Sequence, residues 1–187
     1  MRFNLEKKIF CFFLFMISFG NISGGAGNPP VQGVDKTCQG LRTFGRMYLA
    51  FGKLEDAHEY MSRSLLTAQK NKASEEEQAL CLSDLAWVFM EKGNYSKAEE
   101  LWLDTLNIQS EFYGPEHPYV AYTLRSLSMV YLNMGDYSTA LDYMTRSLDI
   151  MSVYHSETDP AMSPFLADMA KILARQGDLQ QPADLYQ

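Results

Sequence analysis

Three histidines, three cysteines and a run of three glutamates are the residues of this 187-residue chain best suited to acid–base, nucleophilic or metal chemistry. His58, His117 and His155 are far apart, and His117 stands directly before Pro118, where a helix cap would sit. No Cys/His cluster has zinc spacing, and neither a phosphate loop nor G-x-S-x-G is present. The glutamates occur in "SEEE" (74–77), where Ser74 and Glu77 form a capping box and the carboxylates favour a helix N-terminus electrostatically. Catalysis, a metal and a cofactor therefore receive no support, and the chain reads as a non-enzyme. "NYS" (94–96) is a glycosylation sequon, with meaning only in a host that glycosylates proteins.

The cysteines divide by position. Cys11 lies in an apolar run, "IFCFFLFMISF" (9–19), preceded by Arg2, Lys7 and Lys8 and followed by "GNISGGAG" (20–27). Basic start, short apolar core and small residues make a secretory signal pattern over 1–26, with cleavage near Ala26 and an uncleaved anchor as the alternative. The run is too short for a bilayer span, which needs about 20 residues. The expectation is an exported chain, secreted or periplasmic. Cys38 and Cys81 read as small buried residues, with a disulfide in an oxidising compartment as the alternative.

Charge narrows the partner class. Acidic residues outnumber basic ones 23 to 16, and loss of residues 1–26 would leave 22 against 13, a net charge of −9. Such a chain is not a general binder of nucleic acid or of an anionic membrane surface. With 47% hydrophobic and 13% aromatic residues it has enough apolar side chain for a sizeable core.

The elements that would position a surface are periodic. Gly52, Gly93, Gly135 and Gly177 follow one another at 41, 42 and 42 residues, a spacing that signals a solenoid. Five residues after the first three glycines stand Ala57, Ala98 and Ala140. Nine after stand Met61, Trp102 and Met144, and thirteen after Leu65, Leu106 and Leu148. Steps of four place these on one helix face. Upstream, at minus eleven, eight, seven and four, the second repeat has Leu82, Leu85, Ala86 and Phe89, and the fourth has Leu166, Met169, Ala170 and Leu173. Each repeat thus reads as helix, glycine turn, helix, with Asn94, Asp136 and Asp178 as caps after the turn. Small residues (Gly45, Ala86, Ser128 and Ala170 against Ala57, Ala98 and Ala140) let the two helices approach closely. Pro182 stands where the fourth packing alanine is expected, so the last repeat reads as truncated.

"LSDLAWVFMEKGNYSKA" (82–98) resembles the tetratricopeptide repeat, and the long period with "GPEHPYVAYTL" (114–124) is similar to the kinesin-light-chain type. A HEAT or armadillo array has a similar period but lacks the Gly-x4-Ala turn. The resemblance implies an all-α, right-handed superhelical solenoid of antiparallel helix pairs. It covers 38–187 as three full repeats and a truncated fourth, after a short linker or start of the first helix at 27–37.

The resemblance also implies a concave groove lined by the first helix of each repeat, at thirteen, ten, six, three and two residues before the glycine. These positions hold Gln39, Arg42, Arg46, Leu49 and Ala50, then Leu80, Ser83, Trp87, Met90 and Glu91. The third repeat supplies Tyr122, Arg125, Met129, Leu132 and Asn133, and the fourth Pro164, Ala167, Lys171, Ala174 and Arg175. Five basic residues against one acidic make this set +4 in an acidic chain. Arginine suits carboxylates through its forked donors, and Trp87, Tyr122, Met90 and Met129 offer apolar anchors. The expectation is a non-catalytic scaffold that binds a peptide or partner protein, acidic in the sharpest form of the reading. The plain alternative is that these are ordinary solvent-facing positions. Two other functions stay open: the targeting arm of a larger enzyme, and a module that self-associates through its uncapped last repeat.

Overall fold

Helix boundaries fall where capping side chains and left-handed glycines put them. The computed structural model describes residues 37–156 and 158–184, all within one compact unit. The leader segment 1–26, and the linker except for Thr37, lie outside the described residues. The described residues form seven α-helices: α1 (Cys38–Ala50), α2 (Leu54–Lys70), α3 (Glu75–Glu91), α4 (Tyr95–Tyr113), α5 (Pro118–Met134), α6 (Tyr137–Tyr154) and α7 (Ser163–Asp184). A single 3₁₀ turn, Pro160–Met162, precedes α7.

Start signals act as their chemistry requires. The Thr37 hydroxyl accepts from the Gly40 amide at 3.1 Å, and Ser74 accepts from Glu77 at 3.2 Å. Asn94 and Asp136 accept from the Lys97 and Thr139 amides, so the polar residue after Gly93 and after Gly135 caps the following helix, whereas Lys53 after Gly52 makes no side-chain cap. Pro118 opens α5 behind His117, whose Nδ1 accepts from the Tyr119 amide at 3.2 Å. Gly93 and Gly135 sit at φ 74° and 84°, a left-handed geometry that costs glycine nothing.

Consecutive helices pack into pairs, α1 with α2, α3 with α4 and α5 with α6, and the pairs stack in chain order. The architecture is an all-α tetratricopeptide-like solenoid. Small residues meet at each pair as the pattern required: Ala57, Ala86, Ala98 and Ala140 are fully buried. A Cβ on Gly45 would lie 2.5 Å from Met61 Cγ, so α1 and α2 touch where glycine leaves room. Each junction is then filled by large side chains: Trp102 lies with Ala86, Ala98, Leu127 and Val130, and Phe165 with Val120, Leu124 and Ile150.

The fourth repeat departs from the expected pattern. Gly177 lies inside α7 without a left-handed φ, and the helix continues past it to Asp184. Glycine permits the reversal but does not enforce it; in the first three repeats a second helix with its packing alanine folds back and makes it favourable. Here Pro182 occupies that position, and no such helix exists among the described residues. The face that would have met it is uncovered: Leu166, Ala170 and Leu173 are exposed, while Phe165, Asp168 and Ile172 turn inward.

Candidate functional site

The first helices of the repeats, α1, α3, α5 and α7, carry the expected groove positions. Direct contacts join α1 to α3 and α5 to α7 along this side. Two side chains that the position count leaves out dominate its electrostatics. Asp84 and Asp168 each stand nine residues before their repeat's glycine, and both are buried. Arg42 Nε donates to Asp84 Oδ2 at 2.7 Å, and Arg46 donates to Oδ1 through Nε at 2.9 Å and Nη2 at 2.8 Å. One repeat pair later, Arg125 Nε donates to Asp168 Oδ2 at 2.8 Å, and its Nη2 lies in an ion pair 2.6 Å from the same oxygen. Lys171 Nζ reaches Asp168 Oδ1 at 3.2 Å.

Four of the five basic groove residues are therefore already engaged with carboxylates. A buried carboxylate needs such partners, and two cations sharing each one satisfy its lone pairs. With both aspartates counted, the face falls from +4 to +2. The four cations differ in what they still offer. The Arg42 side chain is only 11% exposed and Arg125 28%, whereas Arg46 and Lys171 are 56% and 54% exposed. Arg175 is also exposed. Arg42 and Arg125 thus act as clamps between neighbouring first helices, while Arg46 and Lys171 keep donors turned to solvent. The clamp skips the middle junction, where the corresponding residues are Ser83 and Ser126.

The apolar members are held in place. Trp87 is exposed yet meets the buried Trp102 edge-on, with ring centroids 5.1 Å apart. Tyr122, also exposed, tilts against Phe165 at 5.2 Å, and the Arg125 guanidinium lies 5.3 Å from the same Phe165 ring. Met90 and Met129 are half-buried, and Asn133 spends its amide on the Met129 carbonyl. Leu132 is buried and does not belong to the accessible surface.

Beside this line of rings, where α3, α4 and α5 meet, lies a cavity of about 120 Å³ walled by Leu80, Phe112, Tyr113 and Tyr119, with Glu76 at its edge. Burial, followed by the Glu76 carboxylate, pushes the Tyr113 hydroxyl up to about 12. Leu80 and Glu76 also line a second cavity, of about 280 Å³, beside Gln39 and Arg42. Leu80 was among the groove positions; Tyr119 was not, because it precedes the register of the count by three residues. The aspartates did leave a trace in "LSDLAW" (82–87) and "LADMAK" (166–171), where a carboxylate interrupts an apolar stretch at the same repeat position.

The histidines have separate structural surroundings. His58 meets Phe89 edge-on at 5.2 Å, His117 stacks on Tyr113, and His155 contacts Asp159 at 2.9 Å. Among the described residues no three His, Cys, Asp or Glu side chains are grouped to hold a metal ion.

Residues 77–152 match the model of the tetratricopeptide repeat family. Several solved structures share the fold. BtubC (BKLC) from P. vanneervenii superposes with a TM-score of 0.68 at 22% identity, over 76% of this chain and 57% of its own. A putative kinesin light chain of Podosopora anserina with nearly identical TPR-like repeats gives 0.68 at 20% identity, over 79% and 70%. The TPR2AB domain of yeast Sti1, in its pHSP90 complex, gives 0.59 at 16% identity, over 78% and 50%. The chain thus spans little more than half of the BtubC length. No curated protein sequence matches it.

Proposed function

We propose that this tetratricopeptide-type array is a non-catalytic scaffold that holds a partner peptide along the face of its first helices. The observation that carries the reading is the pair of exposed but rigidly backed rings, Trp87 on α3 and Tyr122 on α5. Aromatic side chains fixed by packing lose little entropy on binding, which is why such anchors dominate interfaces. Arg46 and Lys171 flank them with solvent-facing donors, so a partner with apolar anchors and a carboxylate at either flank fits best. A uniformly acidic peptide fits less well, since Asp84 and Asp168 already draw on the same cations.

The test is a peptide library displayed on phage and selected against the chain, followed by fluorescence anisotropy with the selected peptides. Trp87→Ala should weaken binding about 30-fold, the scale of an interface hot spot. Arg46→Glu should weaken only peptides that carry a carboxylate. If Trp87→Ala and Tyr122→Ala both bind like the parent chain, the face is not the site.

The uncovered stripe Leu166, Ala170 and Leu173 on α7 favours a second reading, self-association through the last repeat. Light scattering over a concentration series tests it: Leu173→Glu should abolish any dimer, and a strict monomer at high concentration excludes it. The leader pattern in residues 1–26 supports a scaffold that works outside the cytosol. Fusion to a reporter enzyme active only after export tests that part, and cytosolic retention overturns it.

A further inference from the structure

The thiols of Cys38 and Cys81 meet at an Sγ–Sγ distance of 2.8 Å, across 43 residues of sequence and between α1 and α3. Both are buried. A disulfide has an S–S length of about 2.05 Å, so closure asks for a movement of less than roughly 1 Å. Cys38 is the first residue of α1, directly behind the Thr37 cap, whereas Cys81 lies near the middle of α3.

Packing alone does not call for thiols here. The same repeat positions one repeat pair later hold Ala121 and Phe165, both fully buried in one apolar cluster. The neighbouring hydroxyl is the feature the two places share: Ser64 Oγ donates to the Cys38 carbonyl at 2.9 Å, and Ser147 Oγ donates to the Ala121 carbonyl at 2.6 Å. The serine therefore serves the helix in both places, and the sulfur pair is what differs. A metal finds no third ligand, since among the described residues no such group of three exists.

We propose that Cys38 and Cys81 close an intramolecular disulfide that staples the first helix of the array to the first helix of the second repeat. The oxidant is a disulfide of the glutathione class. The Cys38 thiolate attacks one sulfur of that disulfide, forming a mixed disulfide and releasing one thiolate. The Cys81 thiolate then attacks Sγ of Cys38 and displaces the second. Two protein thiols lose two electrons and two protons, and the small disulfide is reduced to two thiols. Burial pushes the Cys38 thiol up to about 12, so the closed helix reacts slowly. Opening of the first turn of α1 exposes Cys38 and sets the rate. An exported chain would meet the oxidising conditions in which such bonds persist, but the geometry does not depend on that reading or on the groove.

The full chain carrying Cys11→Ser, which leaves only these two cysteines, is refolded in a buffer of oxidised and reduced glutathione. Intact mass spectrometry should show a monomer lighter by two hydrogens, with no titratable thiol. Reduction should lower the melting temperature by roughly 10 °C, the scale expected for a closed loop of this length in a domain of this size. Further substitution with Cys38→Ser or Cys81→Ala should remove both effects while circular dichroism keeps its helical signal. Two free thiols in folded protein after equilibration, a glutathione adduct on one cysteine, or a disulfide between chains would each overturn the proposal.

Discussion

Replacing Asp84 with asparagine removes one negative charge and keeps the shape of the side chain. The structure sets the size of the effect. Arg42 is almost wholly enclosed and loses its counter-ion across a 2.7 Å contact. Arg46 loses one as well, but over half of its side chain faces water, which screens the loss. Breaking a buried ion pair by removing one partner costs about 3–5 kcal/mol, and an exposed pair contributes no more than ~1. Asparagine retains one acceptor for the Arg42 fork, so Asp84→Asn should cost about 3 kcal/mol. Asp168→Asn leaves the better hydrated Arg125 and Lys171 and should cost only about 1–2 kcal/mol. For a domain of this size the first loss lowers the melting temperature by roughly 6–12 °C. Urea denaturation followed by far-UV circular dichroism gives the free energies. Amide hydrogen exchange locates them, because a solenoid loses stability at the interface that is cut. Exchange should quicken in α1 and the start of α3, with α5 little affected. The same substitution removes the carboxylate that engages the solvent-facing Arg46 and should raise affinity for an acidic peptide. An Asp84→Asn protein within 0.5 kcal/mol of the parent by urea denaturation, or one less destabilised than Asp168→Asn, would refute the clamp.

Three further outcomes follow from packing, backbone and titration. Ala98→Leu forces a branched side chain between α3 and α4, where Ala98 is fully buried beside Ala86 and Trp102, and should cost about 1–3 kcal/mol in urea denaturation. Gly135→Ala puts a Cβ on a residue at φ 84° and should lose about 1 kcal/mol although nothing lies close enough to clash, a purely conformational penalty visible in the melting temperature. Stability should also fall in alkali. Burial, then the neighbouring Tyr60 and Asp56, pushes the Tyr48 hydroxyl from 10.0 to about 12, so the folded state favours its neutral form. That contribution is complete below pH 10.0 and is lost as pH rises to about 12. Phenolate absorbance recorded together with circular dichroism checks this, and Tyr48→Phe should flatten the decline.

Local rules made most of the architecture legible. The period of the glycines, the alanines five residues later and the capping residues beside them act within a few residues, where helix geometry and left-handed φ leave little choice. Gly93, Asn94 and Ala98 could therefore be placed from sequence, and so could Ser74 and Pro118. The turn at Gly177 is the exception, for the converse reason. Gly177 carries the same local signal as Gly135, but a reversal also needs a helix to fold back against, and that condition is tertiary.

The candidate groove was legible only as a set of positions. Trp87 and Tyr122 do lie exposed on the first-helix side, while Leu132 does not, because a step of one residue rotates a side chain by about 100° and so decides which flank of a helix meets the next repeat. Composition alone made the groove strongly basic. Tertiary structure brought Asp84 beside Arg42 and Asp168 beside Arg125, each across more than 40 residues. Repeat register and helix identity were determined by the sequence itself, since backbone sterics and apolar periodicity act between near neighbours. Charge neutralisation, the meeting of Cys38 with Cys81 and the uncovered face of α7 were decided by stacking, because Coulomb attraction and burial depend on distance in space and not along the chain.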